Sequence, residues 1–197
     1  DALNAENPYE NDWFAGTLTL ENTHASELLP WGGAHLRVLG ENTVDGTLGG
    51  TGLLFTGGGS LAAGELNVWA WGSVRAPLLA VQDGTDVRCS ALHMGSNAEE
   101  KGTLLVESGS LTVDGEFWLQ NAALTVTGGE LTLAGDASID RGEVRISGGT
   151  VTFGHGLWLG EGDIVITGGT VIVPGGEAGL TVENGKVTIS GGAVREP

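Results

Sequence analysis

Basic residues are scarce in this chain, where Lys plus Arg total 8 against 25 Asp plus Glu and the formal net charge is −17. A surface this acidic repels phosphate groups, so we expect the protein to bind neither nucleic acid nor an anionic membrane surface. The expected partners are cations or neutral molecules. An acidic surface also simply keeps a protein in solution, and that alternative stays open.

Cysteine and long apolar runs are nearly absent. Cys89 is the one cysteine, so the chain can form no internal disulfide and has no zinc motif built on cysteine pairs. Its phase with Val87 and Ala91 predicts a buried thiol. No stretch is apolar for long enough to span a bilayer as a helix. The chain begins with Asp1 rather than Met, and we expect it to be part of a larger exported surface protein.

Glycine, in contrast, is abundant, with 36 residues, and much of it belongs to a repeat. Segments 103–113, 123–133, 143–153 and 163–173 align without a gap, and a fifth copy, 186–194, follows after three extra residues. A fixed period marks a solenoid, in which each repeat covers the apolar face of the next. Glycine pairs such as Gly128-Gly129 would break a helix, which excludes helical solenoids.

Apolar residues recur in fixed columns of this alignment and alternate with polar ones, as expected of strands with one buried face. Three such strands fit in each repeat, which is the geometry of a single-chain parallel β-helix. We therefore predict an all-β fold with three short strands per coil of about twenty residues. Residues 1–15 lack the repeat and are predicted to form an N-terminal cap. Residues 16–197 would form the β-helix, with irregular coils over 16–102, loops inserted at 21–33 and 95–102, and regular coils over 103–197.

An outward column of aromatic residues is the most specific functional signal. Trp118, Ser138 and Trp158 occupy equivalent repeat positions between two inward columns. Two rings separated by one coil would stand about 9.6 Å apart, with the small serine leaving a gap between them. Flat indole rings beside hydrogen-bonding groups suit the faces and hydroxyls of sugars. Packing of these rings beneath a loop or against another chain is the alternative.

The same strand offers further candidate ligand-binding residues, Gln120, Asp136 and Asp140, beside the column. A second outward candidate is the pair Trp69 and Trp71 in an earlier strand.

Carboxylates also recur near one corner, where we expect Asp114, Glu116 and Asp136 to lie close together with no matching cation in register. Like charges on adjacent strands repel, and calcium prefers oxygen ligands of this kind. Calcium is thus the one candidate cofactor, with these three residues as candidate ligands. Solvated carboxylates with adjustable rotamers would serve equally well, since no calcium motif of fixed spacing is present.

Catalysis has little support in the sequence. The four histidines occupy unrelated positions, and no Ser/His/Asp grouping, nucleophile elbow or phosphate loop is found. We expect a binding module rather than an enzyme and assign no catalytic residue.

Residues 36–46 (LRVLGENTVDG), 50–62 (GTGLLFTGGGSLA) and the repeated SGG or TGG strands resemble the secreted carbohydrate-binding β-helix domains of bacterial cell surfaces. The resemblance spans residues 35–194. It implies a right-handed parallel β-helix, polysaccharide binding that includes acidic plant or host glycans, and calcium at coil corners. Autotransporter passengers and adhesins carry similar glycine-rich ladders. The expected function is extracellular glycan binding; a structural stalk or adhesin segment that binds a protein is the second hypothesis, and a polysaccharide lyase or hydrolase the third.

Overall fold

The chain folds as an all-β solenoid of parallel strands with about eight turns, as predicted. This computed structural model describes residues 17–30, 33–70, 76–97, 100–174 and 179–197. The predicted cap, residues 1–15, and Trp71 lie outside the described residues. The right-handed sense of the coil stays a prediction from the resemblance.

The described residues form 21 strands. In chain order these are β1 (Thr17–Glu21), β2 (His24–Ala25), β3 (Gly33–Leu39), β4 (Glu41–Gly50), β5 (Gly52–Thr56), β6 (Ser60–Ala70), β7 (Leu78–Val81), β8 (Asp86–Ser96), β9 (Gly102–Val106), β10 (Ser110–Val113), β11 (Phe117–Gln120), β12 (Ala122–Val126), β13 (Glu130–Leu133), β14 (Ala137–Ile146), β15 (Thr150–Phe153), β16 (Leu157–Glu161), β17 (Ile164–Ile166), β18 (Thr170–Ile172), β19 (Leu180–Asn184), β20 (Val187–Ile189) and β21 (Ala193–Arg195).

The strands stack into three sides, and every recorded pairing is parallel. The first side contains β1, β3, β5, β7, β9, β12, the end of β14, β17 and β20. The second side contains β2, the starts of β4, β6 and β8, then β10, β13, β15, β18 and β21. The third side contains the ends of β4, β6 and β8, then β11, the start of β14, β16 and β19.

Strand register confirms the 20-residue period. Leu111 pairs with Leu131, which is followed in the same column by Val151, Val171 and, after the three extra residues, Val194. All but the last of these side chains are buried. The predicted inward columns therefore form one continuous apolar core along the solenoid axis. Each fully buried aliphatic side chain contributes about 1.5 to 3 kcal/mol of transfer free energy to stability. The side chains become buried only when the coils stack on one another.

The first half of the chain uses the same three sides with coils of unequal length. Leu36 pairs with Phe55, 19 residues later, whereas Leu53 pairs with Leu79, 26 residues later. The prediction that residues 21–33 form an inserted loop is wrong in part. They contain β2 and an isolated parallel bridge from Leu28 to Leu48, so this segment completes the first coil on its second and third sides.

Cys89 is a core thiol, as predicted, with only 1% of its surface exposed. Burial raises the pKa of this thiol to about 12. A thiol held neutral in this way is a poor nucleophile and a poor metal ligand.

The asparagine of the segment LGENTVDG, Asn42, has a structural role. Its side chain is buried, accepts a hydrogen bond from the backbone N–H of Thr23 at 2.9 Å, and donates to the carbonyls of Leu39 and Ser60 at 3.0 and 3.2 Å. Thr23 belongs to the preceding coil and Ser60 to the following one. One amide therefore satisfies backbone groups from three successive coils.

Replacing Asn42 with Ala is expected to lower the free energy of unfolding by about 2 kcal/mol, because three hydrogen bonds between its side chain and the backbone are lost. Replacement with Asp should also destabilise, since a carboxylate keeps the acceptor but loses both donors. Urea unfolding followed by circular dichroism measures both effects, with the exposed neighbour Glu41→Ala as the control. A wild-type midpoint for both Asn42 variants would contradict this role.

Candidate functional site

The predicted column of Trp118, Ser138 and Trp158 is present on the third side. Ser138 pairs with Trp118 on one neighbouring strand and with Trp158 on the other. The flanking residues Phe117 and Leu119 are fully buried, so the strand pleat turns this column outward. Trp158 is 36% exposed, and Trp118 is half-buried.

A second indole ring packs on Trp118, which was not predicted from the sequence. Trp69, expected to form a separate outward pair with Trp71, instead stacks on Trp118 with ring centroids 5.8 Å apart and planes inclined by 29°. Its ring crosses the strand between them at Gly95, where an added Cβ would collide with ring atoms of Trp69. The two rings therefore form one aromatic pair across three strands, made possible by the missing side chain at Gly95.

Trp158 lies two coils away and has a different environment. Its indole nitrogen donates a hydrogen bond to Glu183 at 3.1 Å, and its ring lies over Gly160 in its own strand. Asp140 is opposite Gly160 on the preceding strand, because the pairs on either side of it are in register. Gln120 shares this column and is half-buried. Carboxylates therefore lie on the strands before and after the ring.

The gap that Ser138 leaves is an open depression of about 320 Å³ beside Trp158. Asp136, His155 and Thr181 line it together with the serine and the indole. The ring nitrogen Nδ1 of His155 lies 3.2 Å from Oδ1 of Asp136. One aromatic face and several hydrogen-bonding groups therefore converge on a cavity large enough for a sugar unit.

His93 belongs to this surface and was missed from the sequence. Its Nδ1 lies 3.0 Å from Glu65, its Nε2 lies 3.4 Å from Glu116, and its ring meets Trp118 edge-on at 6.2 Å. Asn67 also donates to Glu65 at 3.1 Å. Its position between the apolar residues Leu92 and Met94 indicated that His93 points outward. Its alignment with Trp118 could not be predicted, because the coils that contain them differ in length.

The three candidate calcium ligands have partners that were not expected. Arg88 donates two hydrogen bonds to Asp114, at 2.8 and 2.9 Å, and this contact raises the pKa of the guanidinium above its usual value. Glu116 contacts His93, and Asp136 contacts His155. For Asp114 the expectation that no cation lies nearby is therefore wrong.

The described residues contain no group of three or more His, Cys, Asp or Glu side chains arranged to hold a metal ion. Because both carboxylate oxygens of Asp114 are taken up by Arg88, the carboxylates that remain for a cation are Glu116 and Asp136. Calcium binding at this corner stays a prediction.

Within the described part of the chain, no helix is long and apolar enough to cross a membrane. Comparison of the chain with protein-family models, with curated proteins and with solved structures finds no significant match.

Proposed function

We propose that this protein is an extracellular carbohydrate-binding module that holds a polysaccharide along the third side of its solenoid. The observation that carries the proposal is the alignment of exposed Trp158, its depression and the Trp69–Trp118 pair on one face. Indole faces stack on the apolar faces of pyranose rings, while carboxylates and amides bind the hydroxyls. The resemblance to bacterial cell-surface domains supports the same function and an extracellular location.

The arrangement favours a polymer over a free monosaccharide. The polar and aromatic side chains of this face extend from Asn67 and His93 through Trp118 and Ser138 to Trp158, one per coil. Coils rise by about 4.8 Å, which is comparable with the length of one pyranose unit. A chain of sugars parallel to the solenoid axis would therefore meet an equivalent outward position at every coil.

Replacing Trp158 with Ala is expected to weaken binding to a glycan identified by array screening about tenfold, because the exposed ring that lines the depression is removed. Trp158→Phe should retain most of the affinity. Isothermal titration of both variants, with Thr132→Ala on the second side as the matched control, measures the effect. Unchanged affinity in Trp158→Ala would contradict the site, and a wild type that binds no glycan would contradict the function.

A structural stalk segment that binds a protein surface is the second candidate. Val187, Ile189 and Val194 in the last described coil occupy the inward columns yet are 43%, 54% and 38% exposed. Such exposed apolar side chains are a candidate contact surface for another protein. Failure of the array screen together with self-association that is lost in Ile189→Ser would favour this candidate.

A further inference from the structure

The charges of the third side point to a particular class of sugar. We propose that the bound polymer is a basic amino-sugar chain, such as β-1,4-linked glucosamine, whose ammonium groups contact the carboxylates around Trp158. This inference rests on the proposed carbohydrate-binding function and names its ligand.

Acidic groups dominate this face. From β6 to β19 its outward carboxylates are Glu65, Glu116, Asp136, Asp140, Glu161 and Glu183. The described strand residues of the third side over this range include one Arg or Lys, Arg141, and it lies at a corner opposite Glu161. An acidic polysaccharide would meet like charge along the whole face, and the net charge of −17 adds to that repulsion.

Histidines contact some of these carboxylates, but only at one edge of the face. His93 contacts Glu65 and Glu116, and His155 contacts Asp136. The carboxylates on either side of the Trp158 ring have no such partner among the described residues. Glu183 accepts a hydrogen bond from the neutral indole, and Asp140 has no side-chain hydrogen bond or ion pair there.

An aromatic ring between two uncompensated carboxylates is suited to a cation that also has an apolar face. The ring quadrupole attracts a cation placed over the indole, and the carboxylates attract it from the side. A glucosamine unit combines both requirements, since its pyranose face stacks while its ammonium group projects from the ring edge. A neutral sugar would stack but leave Asp140 and Glu183 without a cation, and a lysine side chain has no flat face to stack.

Binding to oligomers of matched length separates these ligands. Titration calorimetry at low salt would compare glucosamine, N-acetylglucosamine, glucose and galacturonic acid oligomers, with polylysine as the non-sugar cation. We expect the glucosamine oligomer to bind at least about tenfold more tightly than its N-acetylated form, and to lose affinity as salt screens the charges.

The variant Asp140→Asn, Glu183→Gln removes two charges with little change in shape. It should weaken glucosamine binding about fivefold to tenfold and weaken the binding of neutral oligomers by a clearly smaller factor, because the new amides still bind hydroxyls. The control Glu41→Gln, Glu130→Gln removes the same charge from exposed positions on the second side and should change affinity by less than about twofold.

Several results would overturn the inference. Equal or tighter binding of a neutral or acidic oligomer would refute the amino-sugar ligand and leave the carbohydrate-binding function standing. Binding of polylysine that matches the glucosamine oligomer and survives Trp158→Ala would show a surface for basic proteins instead. Binding of none of the sugars would refute the proposed function itself.

Discussion

Replacing Phe117 with Ala is expected to lower the free energy of unfolding by about 4 kcal/mol. Phe117 is fully buried and lies between Leu92 and the small side chain of Ala137 in its column. The ring fills space that Ala137 leaves empty, so truncation opens a cavity that the rigid stack of strands cannot close. Urea unfolding followed by tryptophan fluorescence measures the loss.

Two control variants test whether the loss of stability comes from lost packing or from any substitution in this part of the sheet. Phe117→Leu should cost less than half as much, because most of the apolar volume remains. Thr112→Ala, at a half-buried outward position on β10, should change stability by less than about 0.5 kcal/mol. A loss below about 1 kcal/mol in Phe117→Ala would show that the core repacks freely, against the close-packed column described above.

Replacing Gly162 with Ala is expected to cost about 3 kcal/mol through backbone strain and steric overlap. Gly162 adopts φ +131° at the corner between the third and first sides, a conformation that residues with a Cβ rarely adopt. An added Cβ would also overlap the carbonyl oxygen of Gly142 in the coil before it. The strained φ and the steric overlap can be relieved only if the backbone moves. That backbone is paired to both neighbouring coils.

Gly52 provides a matched control for Gly162→Ala. An added Cβ at Gly52 would lie 3.6 Å from Cα of Gly33, an ordinary contact, so Gly52→Ala should leave the unfolding midpoint within about 0.5 kcal/mol of wild type. Thermal and urea unfolding of the two variants side by side measure the difference. Equal stabilities would mean that the corner tolerates a side chain and that the glycine repeat has another cause.

The candidate site shows how far pattern alone could reach. The positions of Trp118, Ser138 and Trp158 were predictable because coils of equal length place residues at a fixed spacing in one column. The contacts of Trp69 and His93 were not, because their coils are longer and their partners cannot be aligned by counting residues. Similarly, Arg88 comes from an irregular coil, so its pairing with Asp114 had no periodic signal.

The direction in which a side chain leans also lies beyond the pattern. The alternation of inward and outward residues along a strand predicts that Trp69 and Trp158 point outward. It does not predict that each ring lies over a glycine, Gly95 for Trp69 and Gly160 for Trp158. That choice depends on where neighbouring strands leave room for an indole. The direction of each ring determines that Trp69 stacks on Trp118 while Trp158 stays exposed.

The sequence by itself determined the all-β solenoid, its 20-residue coils, its inward columns and the outward face that bears the tryptophans. It could do so because strand alternation and coil period are local and repeated, so each copy reinforces the next. Only the tertiary structure decided the Trp69–Trp118 pair, the histidine contacts and the depression beside Trp158. Those features depend on register between unequal coils and on space left by single glycines, which the spacing of residues along the chain does not encode.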